Sequence, residues 1–115
     1  MIIIDTNILM EAGNVDIFDE LLNFLQYGEP VVLDSSIEEL RKIGSRKAKL
    51  ALELIATRGI EIIKTGEKSF DKAVLKIANP NRDVVVTNDR KLIKALKEKN
   101  IKVIRLRQRK YLVEE

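Results

Sequence analysis

The 115-residue chain contains no cysteine, no histidine and no tryptophan. Without cysteine there are no disulfides and no thiol nucleophile. Without histidine there is no imidazole base, no Ser-His-Asp triad and no Cys/His zinc site. Chemistry is left to carboxylates, hydroxyls, amides, lysine, arginine or a metal held by oxygen, and all-oxygen ligation suits Mg²⁺ or Mn²⁺. Aromatic residues make up 4% of the chain, too few for extensive stacking on nucleic-acid bases. No run approaches the roughly 18 apolar residues of a membrane span, and the opening MIIIDTN is too short and too acidic for a signal peptide. A cytoplasmic protein with no membrane partner is expected. Linkers, repeats and low-complexity stretches are also missing, so residues 1–115 read as a single domain.

What is present is a regular alternation. Five short β-rich runs (2–4, 31–33, 60–63, 84–86 and 102–104) alternate with helical patterns at 15–27, 36–43, 46–57, 70–78 and 89–99. Most of the runs are continuously apolar, as expected of strands buried on both faces of a parallel sheet. Gly28 and Gly59 stand where helices end, and Asn79-Pro80-Asn81 breaks the pattern. The fold class is therefore α/β, with an open, doubly wound sheet. No exposed apolar stripe stands out.

Ligands of such sheets bind beyond the carboxyl ends of the strands, where strand order reverses. Four acids fall at positions of that kind. Asp5 directly follows the first strand, although an Asx-turn or N-cap role competes. Glu39 lies in DSSIEEL after the second strand; it sits nearer the apolar stripe of Ile37, Leu40 and Ile43 than Glu38 does. Ser36–Glu39 and Ser35–Glu38 both have capping-box spacing, so Glu38 versus Glu39 stays open. Asp71 borders the buried stripe Phe70, Ala73, Val74 and Ile77, where an ordinary helix-dipole role competes. Asp89 follows the fourth strand in VVVTNDRKL, and helical spacing from Leu92, Ile93 and Leu96 turns it toward the sheet, with Thr87 or Asn88 left to cap the helix. Clustered carboxylates raise one another's pKa unless a cation is present. A bound divalent ion relieves that repulsion and activates water, which no histidine is here to do.

Basic residues are concentrated late in the chain. Between Lys99 and Lys110 the run KNIKVIRLRQRK has six basic residues and no acid, within a net charge of only +3. Arg90, Lys91, Arg105, Arg107, Arg109 and Lys110 are candidates for phosphate contacts, which give affinity without sequence choice; a solvated strand and tail is the competing explanation. A phosphoacceptor receiver domain is set aside, because no Asp directly follows the third strand. Dinucleotide binding fails for want of a glycine-rich turn after the first strand.

DTN after the opening strand, IEEL, FDKAV and VVVTNDR, in this order and spacing, resemble the PIN-domain nucleases over nearly the whole chain. The resemblance implies a parallel five-stranded sheet in the order 3-2-1-4-5 with helices on both faces. It also implies a Mg²⁺- or Mn²⁺-dependent endoribonuclease acting on single-stranded RNA. The family's acidic positions carry over to Asp5, Glu39, Asp71 and Asp89, as catalytic residues and metal ligands, with Asn7 and Thr87 in support. VDIFDEL, ALELI, TNDRKLIKALKEKNIKVI and LRQRKYL are similar to the ribosomal-RNA-processing members of archaea and eukaryotes, and VapC-type toxins are the next most similar group. The partners so implied are single-stranded or structured RNA, a ribosome-assembly factor or an antitoxin, and a second copy in a homodimer. A non-catalytic RNA-binding or assembly scaffold is the remaining alternative, against which all four acids speak.

Overall fold

The computed structural model describes residues 1–115. Its strands are β1 (Ile2–Ile4), β2 (Pro30–Leu33), β3 (Glu61–Ile63), β4 (Val84–Val86), β5 (Lys102–Arg107) and β6 (Tyr111–Glu114). The helices are α1 (Thr6–Leu9), α2 (Ile17–Glu20, continued by a 3₁₀ segment Leu21–Tyr27), α3 (Asp34–Ile43), α4 (Arg46–Thr57), α5 (Phe70–Ile77) and α6 (Arg90–Glu98). The sheet runs β3-β2-β1-β4-β5-β6, parallel from β3 to β5, so the expected five-strand order is present. A sixth, antiparallel strand extends it at the β5 edge.

Both faces of the sheet are covered, which is why Ile2, Ile3 and Ile4 are all fully buried. Alternation sends Ile2 and Ile4 into one core with Ile8, Phe18, Leu40 and Ile55 from α1–α4. Ile3 enters the other, with Phe70, Val74, Leu92 and Leu96 from α5 and α6. Because the connections after β1 and β2 lie on one face and those after β3 and β4 on the other, strand order reverses at β1. The space beyond the β1–β4 pair is the switch point.

Four expectations need correction. The pattern over 15–27 is not one helix: it breaks into a short α-helix and a 3₁₀ segment, with Phe24 outside helical geometry. Leu22 and Leu25 are left exposed there, and Ile43 and Ile62 elsewhere, so apolar surface exists that the periodicity did not reveal. The tail after Arg107 is a second hairpin strand. Its three-residue turn between Arg107 and Tyr111 places Gln108 and Arg109 both at φ 53, a left-handed conformation that Asn and Gly usually fill. The capping boxes do not form, because α3 begins two residues early at Asp34 and takes Ser35 and Ser36 into its buried first turn.

Asp34 has another task. Its carboxylate accepts from the Thr65 hydroxyl (2.7 Å) and from the amides of Thr65 (2.9 Å), Gly66 (3.1 Å) and Ser35 (2.9 Å). Burial alone would raise its pKa, but these donors outweigh it and hold the group at about 2. The bond set pins the β3–α5 loop that delivers Asp71. A depressed pKa contributes stability above the unfolded value near 3.9 and loses it as pH falls toward the folded one. Asp34→Ala is therefore expected to cost about 1–2 kcal/mol at neutral pH. It should also flatten the loss of Tm between roughly pH 4 and 2. Thermal melts across that range check both; an unchanged acid limb would remove Asp34 from this role.

Candidate functional site

The register Ile4↔Val86 carries the β1–β4 pairing to the strand ends, and the Asp5 amide adds one more bond to the Val86 carbonyl at 2.9 Å. Asp5 and Thr87 are thereby brought side by side beyond the switch point. The Thr87 hydroxyl donates to Asp5 Oδ2 at 2.7 Å and accepts from the Asp89 amide at 3.1 Å. Asp5 is 6% exposed and Thr87 0%. Burial pushes the Asp5 pKa up and the charge of Asp71 adds to that; the Thr87 hydroxyl and the amides of Asn7 and Thr6 oppose it.

The second wall comes from α3. The Thr6 hydroxyl donates to Ser36 Oγ at 2.8 Å, tying α1 to the first turn of α3. One turn on, Glu39 is half-buried while Glu38 is exposed. Burial raises the Glu39 pKa, followed by the charges of Asp5 and Asp71, against hydrogen bonds from the Phe70 amide and Thr6. Of the two adjacent glutamates, Glu39 faces the other acids.

Asp71 stands in the first turn of α5, a helix capped by Ser69 Oγ accepting from the Lys72 amide. Partial burial and then the charge of Asp89 raise its pKa. Asp89 differs from its expected setting. It is exposed, and it is itself the N-cap of α6: Oδ1 accepts from the amides of Lys91 (3.0 Å) and Leu92 (3.2 Å). Asn88 does not cap either. Its side-chain oxygen accepts from the Leu106 amide at 2.9 Å and its amide donates to the Leu106 carbonyl at 3.0 Å. It thus stands in for one more residue of β4 against β5. Asp89 Oδ2 has no protein donor, so the cap leaves one oxygen free for other work.

The four acids therefore share one electrostatic site. Glu39 senses Asp5 and Asp71, Asp5 senses Asp71, and Asp71 senses Asp89. The donor set is all oxygen and carries unrelieved like-charge repulsion, which fits a hard divalent cation. No three of the acids lie close enough to hold an ion by protein oxygens alone.

Among the supporting and basic candidates, Asn7 is exposed and reaches Asp5 through its backbone amide. Arg90, Lys91, Arg107 and Lys110 are exposed. Arg105 pairs with Glu115 at 3.5 Å, and Arg109 with Glu11 at 3.5 Å. Ser36 and Asn88, which the sequence offers only as helix caps, are site-shaping residues. For that role Asn88 offered no sequence signal beyond its place beside Thr87. No helix is long and apolar enough to cross a membrane.

A sequence-family profile described as a PIN like domain matches residues 2–109. The chain is 33% identical over 91 residues to the protein named Ribonuclease VapC4 from Methanocaldococcus jannaschii, a match spanning 72% of this chain and 70% of that protein. The solved structure of the PIN domain endonuclease Utp24 superposes with a TM-score of 0.81 at 23% identity, covering 99% of this chain and 90% of the other. At that identity the likeness establishes a shared fold.

Proposed function

This chain belongs to the PIN-like domain family, and from that premise we propose that it is a divalent-metal-dependent endoribonuclease cutting single-stranded RNA. The observation that carries the reading is the mutual coupling of Asp5, Glu39, Asp71 and Asp89 at the switch point of the sheet. Asp5, Asp71 and Asp89 would hold Mg²⁺ or Mn²⁺, directly or through water, and Glu39 would complete the shell or hold a second ion. When bound, the ion supplies charge neutralisation at the scissile phosphate and lowers the pKa of attacking water. The protein's own part is orientation: Thr87 fixes one oxygen of Asp5, Asn88 fixes the β4 end, and the α6 cap fixes Asp89. Residues 1–115 act as one domain in the cytoplasm, and the work assigned is processing of RNA, ribosomal RNA first.

The test is incubation of labelled single-stranded RNAs with Mn²⁺ or Mg²⁺, beside EDTA and an Asp5→Asn, Asp89→Asn double variant. Asparagine preserves an acceptor for Thr87 and is an equally good N-cap, so the variant should fold and lose cutting. Cutting that survives it would place the chemistry elsewhere. A second reading, a toxin ribonuclease held by an antitoxin, draws on the VapC4 relative. Growth arrest on expression, relieved by a neighbouring gene's product, would favour the toxin; growth without arrest would favour processing.

A further inference from the structure

Between α6 and β5, beginning at Arg90 next to Asp89, lies a groove of about 710 Å³ lined by four cations, Ile93 and the acids Glu98 and Glu115, which the proposed chemistry leaves unused. Arg90, Lys94 and Lys97 form one wall, spaced i, i+4, i+7 along one stripe of α6; Arg105 of β5 forms the other. On this side of the β5–β6 hairpin, α6 packs against β5 through Leu92, Ile93 and Leu96. Leu106 and Leu112 point into the opposite core, so alternation turns Arg105, Arg107 and Tyr111 toward the groove side. Register sets Arg107 opposite Tyr111, which is 39% exposed. The groove opens at the catalytic cluster: Arg90 follows Asp89, and Asn88 fastens the end of β5 level with it.

One carboxylate bridges the two walls. Glu115 reaches Lys97 Nζ at 3.4 Å through one oxygen and Arg105 Nη1 at 3.5 Å through the other. Arg105 Nε beside it is buried and has no hydrogen-bond partner. An anion already held between two cations marks a position that a phosphate diester can take in its place.

Resting on the ribonuclease reading above, we propose that this groove is the track along which single-stranded RNA leaves the cutting site. Phosphates lie on Arg90, Lys94, Lys97 and Arg105, one base stacks on Tyr111, and Glu115 occupies a phosphate position until RNA displaces it. A basic groove with an aromatic platform takes single strands with little sequence preference. This matches a chain with few other rings to offer.

The chain has two tyrosines and no tryptophan, so in a Tyr27→Phe protein the emission comes from Tyr111 alone. Titrating that protein with a short oligouridylate in EDTA measures binding without cutting. Stacking should quench Tyr111. Tyr111→Leu should weaken binding roughly five- to hundredfold. A Lys94→Glu, Lys97→Glu double variant should weaken it at least about tenfold and reduce the slope of log K against log salt by about 1–2. Glu115→Gln should tighten it. Unquenched Tyr111, together with parental affinity in the charge-reversal variant, overturns the track. If the parent still cuts RNA in Mn²⁺, the nuclease reading survives that result. Conversely, quenching and salt-steep binding with no cutting in any metal would leave the track standing and sink the nuclease.

Discussion

Asp5→Asn should abolish metal-dependent cleavage and, in the same protein, raise the Tm of the metal-free form at neutral pH. The first effect follows if Asp5 holds the ion; losing several kcal/mol of charge stabilisation lowers the rate roughly a thousandfold or more. The second follows from where the charge sits. Asp5 is buried and faces Asp71, so its folded pKa lies above the unfolded value. A raised carboxyl favours the fold while protonated and loses that contribution as pH climbs through its folded pKa. At neutral pH the ionised Asp5 therefore costs stability that asparagine does not, since Asn still accepts from Thr87. A gain of about 1 kcal/mol corresponds to a rise of roughly 3–8 °C in a domain of this size. The advantage should appear in EDTA, shrink as pH falls toward 4, and disappear in saturating Mg²⁺, which stabilises the parent by mass action. Melts of both proteins with and without Mg²⁺ decide it. A variant that melts lower in EDTA would mean that the carboxylate supports the fold rather than straining it.

How far this site could be read beforehand depended on which rule governed each residue. Strands β1 and β4 were plain because burial on both faces leaves nothing but apolar residues, and Asp5 stands out where that run stops. Glu39 over Glu38 followed from the α3 stripe, even though the capping boxes that competed with it do not form. Asp89 was selected on a mistaken ground. Extending the Leu92–Leu96 periodicity backward assumes a helix still in progress, yet α6 starts at Arg90 and Asp89 is its extended cap. The hairpin was hidden for a local reason: Gln108-Arg109 adopts a conformation that sequence normally signals with Asn or Gly. Asp83 shows why burial of an acid alone does not mark a site. It lies at the opposite end of β4, 2% exposed, and is fully engaged by the Met1 amine, the Asn79 amide and Arg82. Its pKa is lowered, whereas those of Asp5, Glu39 and Asp71 are raised. Pairing separates the structural acid from the frustrated ones, and pairing is a tertiary fact no spacing in the chain encodes.

Thr87→Val tests whether that frustration is tuned rather than incidental. Valine matches threonine in shape and removes only the hydroxyl, which serves Asp5 and Asp89 at once. The buried Asp5 oxygen loses its donor and the Asp89 amide its acceptor, a cost of about 1–3 kcal/mol in stability. Cleavage should fall roughly 10–100-fold, the usual effect of removing a residue that orients a metal ligand. The pH profile carries the sharper signature. The Thr87 hydrogen bond lowers the Asp5 pKa, so its loss must move that pKa further up. The acid limb of the rate profile should then shift to higher pH in the valine variant and return in Thr87→Ser. A purely structural Thr87 would lower the rate at every pH and leave the limb in place. A shift rescued by serine would show that one hydroxyl sets the protonation of the acid at the centre of the site.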